Sequence, residues 1–325
     1  MNKGVWIALA VFGCGPQEVE DTNVGPVDTD TDTDIVDTDT DTDSDTDSDT
    51  DTGPDPCLEA PPSGPRNVQT IAIATEEDFD FDADGWLVYQ GQGGILAVKP
   101  GGQQEVIAPA FGGDPSGIQI LSTGNVVTLD RALGTLRTVV RASGQGTLLL
   151  SNLSGPNGVE VESTDRVYMT EPGPGRVSWY DFASGQTGAV TGQLSLPNNL
   201  VLSNDEQTLY VATLNGIAEI SRNGPDSWNA TPTRTIGEGL GNILTVEIDE
   251  CDNLYTVQNN RMYRIFSDGT GYEQIAEIPI GGFPSSIRWG NGVGDFQRET
   301  LYVTMRSVIH AVDVGVRGKK HPTSP

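Results

Sequence analysis

A short strand signature returns six times along this chain at nearly even intervals, and it restricts the fold more than any other feature. It reads Trp86-Leu87-Val88-Tyr89, Asn125-Val126-Val127, Arg166-Val167-Tyr168, Thr208-Leu209-Tyr210-Val211, Asn253-Leu254-Tyr255 and Thr300-Leu301-Tyr302-Val303. With Val88, Val127, Tyr168, Tyr210, Tyr255 and Tyr302 taken as equivalent, the steps are 39, 41, 42, 45 and 47 residues. Residues 154–181 show one unit in full. Pro156-Asn157-Gly158 makes a turn, an alternating run follows, a polar turn spans 163–165, and further strands open at Val167 and Val177. Strand-rich units of this period indicate a β-propeller, in which four-stranded blades close radially and leave no long edge bare. A solenoid would need capping repeats, and none is visible. The fold class is therefore all-β: a six-bladed β-propeller over residues 63–317.

Residues 66–75 form a lone strand ahead of the first full unit, while the sixth unit offers only three strands. The early strand is expected to complete the last blade by pairing two otherwise exposed edges. Residues 318–325, with Lys319-Lys320 and two prolines, read as a loose tail.

The chain begins with Lys3 and an apolar run from Gly4 to Phe12, a stretch too short to span a bilayer and suited to an export signal over 1–13. That run ends in Val11-Phe12-Gly13-Cys14, which resembles a bacterial lipoprotein box. Cys14 would then carry the lipid, and the membrane contact would be an anchor at the bacterial cell envelope, in the outer membrane or on the cell surface. The alternative is an ordinary cleaved signal with an incidental cysteine. Residues 14–62 follow as a tether dominated by Asp-Thr and Asp-Ser alternation. Between residues 15 and 56 there are sixteen acids and no Lys or Arg. Like charges with almost no apolar surface make an extended, disordered spacer. A calcium loop would need a glycine turn and a fixed ligand frame, which the repeat lacks.

The whole chain carries a formal charge of −28, from 46 acids against 18 bases. Without the tether's acids the charge is about −12, so no basic stripe is available for nucleic acid. A monomer is expected. Three cysteines are present. If Cys14 is acylated, Cys57 and Cys251 remain as an even pair in an oxidising compartment, either bridged or as two free thiols.

About eleven residues before each second strand stand Glu77, Ser116, Asn157, Asn198, Asn242 and, after a longer turn, Ser285. In a propeller this is where the innermost strands begin, at the mouth of the central channel. One carboxylate and three amides supply oxygens suited to a hard divalent cation. Asn and Ser also serve such turns simply by satisfying backbone groups.

With those motifs in hand, residues 75–314 resemble the gluconolactonase, regucalcin (senescence marker protein) and luciferin-regenerating-enzyme family. Glu77 followed by FDFD, Pro156-Asn157 leading to VYMTEP, and Pro197-Asn198-Asn199-Leu200 leading to LYVAT look like three of its four metal-ligand motifs. The resemblance implies that Glu77, Asn157 and Asn198 bind one metal ion, calcium in preference to zinc. The family's fourth ligand is a fifth-blade Asp proposed as general base. Ungapped alignment puts Leu244 there, and a two-residue shift puts Asn242 there. Neither can take a proton. Strictosidine synthase-like and NHL-type propellers are neighbouring possibilities.

Only two histidines are present, His310 and His321, which argues against a His-based dyad or a Ser-His-Asp triad. No G-x-S-x-G elbow occurs. The glycines at 91–94 suit a hairpin turn rather than a phosphate loop. Asp78, Asp80 and Asp82 are expected to alternate outward. Two classes of function remain. One is a binding or interaction module for a small-molecule or surface ligand. The other is a metal-dependent lactone or ester hydrolase, in which the ion polarises the carbonyl and activates water. The missing acid favours the first.

Overall fold

The computed structural model describes residues 57, 63–75, 77–91, 93–224, 226–280 and 282–324. The expected signal, Cys14 and the tether, Cys57 excepted, lie outside these residues. Every regular element among them is a strand.

The strands assemble into six antiparallel sheets, one per repeat, arranged as a six-bladed propeller. Blade 1 holds β2–β5 (Phe79–Phe81, Leu87–Gly91, Gly94–Val98, Gln104–Ala108). Blade 2 holds β6–β9 (Pro115–Ile120, Val126–Asp130, Thr135–Val139, Gly146–Leu150). Blade 3 holds β10–β13 (Val159–Val161, Arg166–Glu171, Arg176–Asp181, Thr187–Thr191). Blade 4 holds β14–β18 (Leu200–Leu202, Thr208–Thr213, Gly216–Gly224, Ser227–Trp228, Arg234–Ile236). Blade 5 holds β19–β22 (Glu247–Ile248, Leu254–Gln258, Arg261–Ile265, Tyr272–Glu277). Blade 6 holds β23–β25 (Pro284–Trp289, Thr300–Met305, Val308–Asp313) together with β1 (Val68–Ala74).

The blades adhere through alternation. Successive side chains on a strand face opposite sides of its sheet. Val126 accordingly packs with Val88 and Ile95 of blade 1, while Val127 packs with Val159 and Val167 of blade 3. Each second strand is therefore apolar on both faces, which is why its signature repeats so clearly in the sequence.

The ring closes as expected. β1 pairs antiparallel with β25, in register Val68↔Val312 through Ile71↔Ile309, so the first and last strands of the propeller share blade 6. Blade 4 departs from four strands. β16 runs nine residues and pairs with β18 along one part and with the two-residue β17 at its far end. The added hairpin inserts Trp228 edge-on against Tyr168 of blade 3, with the Arg222 guanidinium 4.6 Å from the Trp228 ring. Cys57 is disulfide-bonded to Cys251, in the turn between β19 and β20, across a separation of 194 residues.

Candidate functional site

The pairing of first and second strands fixes which channel residues share a level. Asp80, Glu160, Glu247 and Arg288 lie opposite Val88, Tyr168, Tyr255 and Tyr302. Gln119 and Val201 lie opposite Val127 and Tyr210. Three residues earlier on each strand come Glu77, Ser116, Asn157, Asn198, Leu244 and Ser285, at the upper mouth where the inner strands begin.

Main-chain contacts support this alignment. Gly158 N donates to Asn198 O at 3.2 Å, and Asn199 N donates to Leu244 O at 3.3 Å. Ser116 Oγ donates to Pro156 O at 2.9 Å. The approach of blades 2, 3 and 4 depends on glycine: a Cβ would sit 2.6 Å from Asn157 O at Gly117 and 2.4 Å from Asn198 O at Gly158. Leu244 therefore holds the fifth-blade position, and Asn242 stands two residues earlier, exposed. The two-residue shift that would have made Asn242 the ligand is not the register of the strands.

Glu77 is half-buried, and its carboxylate lies 3.5 Å from the Arg131 guanidinium, which also lies 3.5 Å from Asp114. Burial pushes the Glu77 carboxyl above its ordinary range, and Arg131 pulls it back in part. Chemically the upper mouth offers one carboxylate and two amides from Glu77, Asn157 and Asn198, all hard oxygen donors that suit a divalent cation completed by water. It offers no base at the fifth-blade position, since Leu244 brings only hydrocarbon; the neighbouring carboxylate, Asp114, is paired with Arg131. Among the described residues no group of three or more His, Cys, Asp or Glu could hold a metal ion.

Below the mouth the inner strands carry a buried ion network. Asp78, Asp80 and Asp82 are buried, which corrects the expectation that they point outward. The side of an inner strand that faces away from its own core faces the channel, and there these acids meet partners from neighbouring blades. Asp78 accepts from Phe79 N and Ile118 N at 3.0 and 3.2 Å. Asp80 accepts from Phe81 N and Ile120 N at 2.9 and 2.7 Å. Each ties blade 1 to blade 2. Asp82 accepts from Trp86 N at 2.9 Å and pairs with Arg141 at 3.1 Å.

Arg288, not singled out in the sequence, is the hub. From blade 6 it reaches Glu247 of blade 5 at 2.8 Å, Asp78 of blade 1 at 3.3 Å and the Val159 carbonyl of blade 3 at 3.3 Å. Burial alone would lower its pKa, but the surrounding carboxylates outweigh this and hold it charged. Glu247 is pushed up to about 7, chiefly by burial, with Arg288 opposing and Glu160 adding to the rise. The signal that could have located this residue is its register, three positions after Ser285.

The C-terminal segment lies across part of the lower mouth and is docked instead of loose. Gly318 N donates to Arg298 O at 2.9 Å and Lys319 N to Ile248 O at 3.1 Å. Lys319 Nζ lies 3.2 Å from Glu160 and 3.1 Å from Leu202 O. His321 Nε2 lies 2.8 Å from Asp80 Oδ1, and Thr323 Oγ1 donates to Phe81 O at 2.9 Å. The strap forms one wall of a cavity of about 460 Å³, bordered also by Glu160, Glu247, Arg288 and Trp289. A side chain at Gly318 is excluded, because a Cβ there would sit 2.0 Å from Trp289 Cγ. Gly318→Ala is expected to lift the strap and cost about 1–3 kcal/mol by overpacking. Limited proteolysis with a lysine-specific protease should then cut after Lys319 or Lys320 at least ten times faster than in the parent, on the order of the weakened docking. An unchanged cleavage rate would show that the strap does not depend on this contact.

No family model matches the chain, and no curated relative matches it. Solved structures do share its fold. A protein assigned as a gluconolactonase superposes with a TM-score of 0.65 at 16% identity, covering 81% of this chain and 97% of its own. A gluconolactonase from Xanthomonas campestris gives 0.61 at 19% identity, covering 76% and 89%. Luciferin-regenerating enzyme gives 0.61 at 16%, covering 79% and 98%. At these identities the likeness is one of fold, a gluconolactonase-type six-bladed propeller.

Proposed function

We propose that this gluconolactonase-like propeller is a ligand-binding module, exported and anchored through lipid on Cys14, whose upper mouth takes a divalent cation on Glu77, Asn157 and Asn198. The observation that carries the reading is Leu244 in the fifth-blade position. A hydrolytic site needs a group there that can accept a proton from water, and a leucine cannot. The acids deeper in the channel do not substitute for it. Asp78 and Glu247 are bonded to Arg288, and Asp80 and Glu160 to the strap. A bound cation would supply positive charge to orient an oxygen-bearing ligand. Ser285 adds a hydroxyl to the rim, while the Ser116 hydroxyl is held by the Pro156 carbonyl. Calcium is preferred over zinc because the donors are amide and carboxylate oxygens, without nitrogen or sulfur.

Calorimetric titration with calcium should show weak, saturable binding by the purified protein. Glu77→Gln removes the single carboxylate of the set and should abolish it. Arg131→Gln removes the competing guanidinium and should tighten binding about fivefold, the worth of an exposed charge pair. Because the Glu77 carboxyl titrates above its usual range, binding should fall away on acidification sooner than for an ordinary glutamate. Absence of calcium binding in the parent protein would remove the cation from this reading.

The hydrolase alternative is favoured by one observation, the fold shared with proteins named gluconolactonases. Proton release from a lactone panel separates the two readings: none above background is expected, and turnover by the parent protein would establish the enzyme.

A further inference from the structure

A second site lies beside the upper mouth, in a cleft of about 270 Å³ between blades 1 and 2. Its position follows from the chain: Pro115, which lines it, precedes the rim residue Ser116, and Asp130, which also lines it, precedes Arg131. Ile95, Phe111 and Leu129 give it apolar walls. Three polar side chains, Gln90, Asp130 and Arg137, also line it, and their bonding is incomplete.

The Arg137 guanidinium sits 5.0 Å from the centre of the Phe111 ring. Arg137 forms no ion pair or hydrogen bond among the described residues, and its Nε is buried without a partner. Asp130 takes both of its main-chain donors on one oxygen, from Asp114 N at 3.1 Å and Leu133 N at 2.7 Å, which leaves Oδ2 without a partner among the described residues. A Cβ at Gly113 would lie 2.2 Å from that oxygen, so only glycine lets the loop pack directly against the carboxylate. Gln90 is 7% exposed; its amide nitrogen donates to Thr128, and its Oε1 has no partner.

An unpaired cation and an under-used carboxylate therefore line one small, largely apolar cleft without bonding each other. Opposite charges in such a setting normally close on each other, because the attraction is strong where water is scarce. A ligand carrying both charges would satisfy each. A plain carboxylate would meet Arg137 but be repelled by Asp130, and a plain amine would meet the reverse. We propose that the cleft binds a free α-amino acid with an apolar side chain: carboxylate on Arg137, ammonium on Asp130 Oδ2 and Gln90 Oε1, side chain against Phe111, Ile95 and Leu129. The volume is at the small end of ligand sites, which suits a single amino acid rather than a peptide. This deepens the binding-module reading by naming a ligand class, and it does not depend on the cation.

The test is a calorimetric or NMR titration of the full chain with L-phenylalanine in excess chelator, beside 3-phenylpropanoate and 2-phenylethylamine as single-charge controls. Saturable binding in the millimolar range or tighter is expected for phenylalanine, with each control at least tenfold weaker. Arg137→Gln removes the guanidinium but keeps a polar side chain, and should weaken phenylalanine at least tenfold. Arg137→Lys keeps the charge and should retain part of the binding. No saturable phenylalanine binding, equal binding of 3-phenylpropanoate, or an unchanged affinity in Arg137→Gln each overturns the proposal. Since chelator is present, failure here is separate from failure of calcium to bind at Glu77.

Discussion

Arg288→Met should lower stability by about 3–5 kcal/mol at pH 8, the cost of stranding buried charges when one partner of an ion network is removed. Methionine fills similar volume, so the loss reports charge and not a cavity. Two carboxylates, Asp78 and Glu247, would be left in the channel without their guanidinium. The pH dependence identifies the cause. Glu247 titrates at about 7 in the fold against an ordinary 4.5, so the native state holds its proton more tightly than the unfolded chain does. Such a group favours the fold most below about 4.5, and its contribution is lost as pH rises through 7. Without Arg288 both carboxyls shift further upward, so the deficit should be large at pH 8 and shrink towards pH 5. Denaturant melts at the two pH values check this, and an equal deficit at both would mean that Arg288 acts through packing alone.

Replacing both Cys57 and Cys251 by serine should cost about 2–5 kcal/mol. The bond links residues 194 apart, and on the chain-entropy account a loop of that length lies near the upper end, at about 5 kcal/mol. For a domain of this size that corresponds to a fall in Tm of roughly 5–15 °C. Thermal melts of the double serine variant and of the reduced parent should agree. If neither shifts, the unfolded chain is already held together by other contacts.

How much of this is legible in the sequence differs from element to element. The six blades are, because Val88, Val127, Tyr168, Tyr210, Tyr255 and Tyr302 sit on strands apolar on both faces, and only a ring of packed sheets makes that demand at a regular period. The strand that seals blade 6 is legible as an unpaired run. The β17 hairpin of blade 4 is not, because two residues carry no periodicity. The channel network was hidden by a sound rule applied in the wrong place. Alternating acids such as Asp78 and Asp80 normally face water, but on an inner strand their side is the lumen, and only the three-dimensional register shows Arg288 opposite them. The tail resisted reading because two lysines and two prolines look solvated. Its docking rests on main-chain bonds and on Gly318, whose role appears only once Trp289 is beneath it. At the upper mouth the spacing gave Glu77, Asn157 and Asn198, and left Asn242 against Leu244 to be decided by the strand register.

The disulfide also sets a load path. The chain reaches β1 only after Cys57, and β1 is the strand whose pairing with β25 seals the ring. Tension arriving at Cys57 enters blade 5 through a covalent bond, so the seam bears none of it. With the bond reduced, the same pull falls directly on β1 and peels open the one joint in the propeller that is made by strands from opposite ends of the ring.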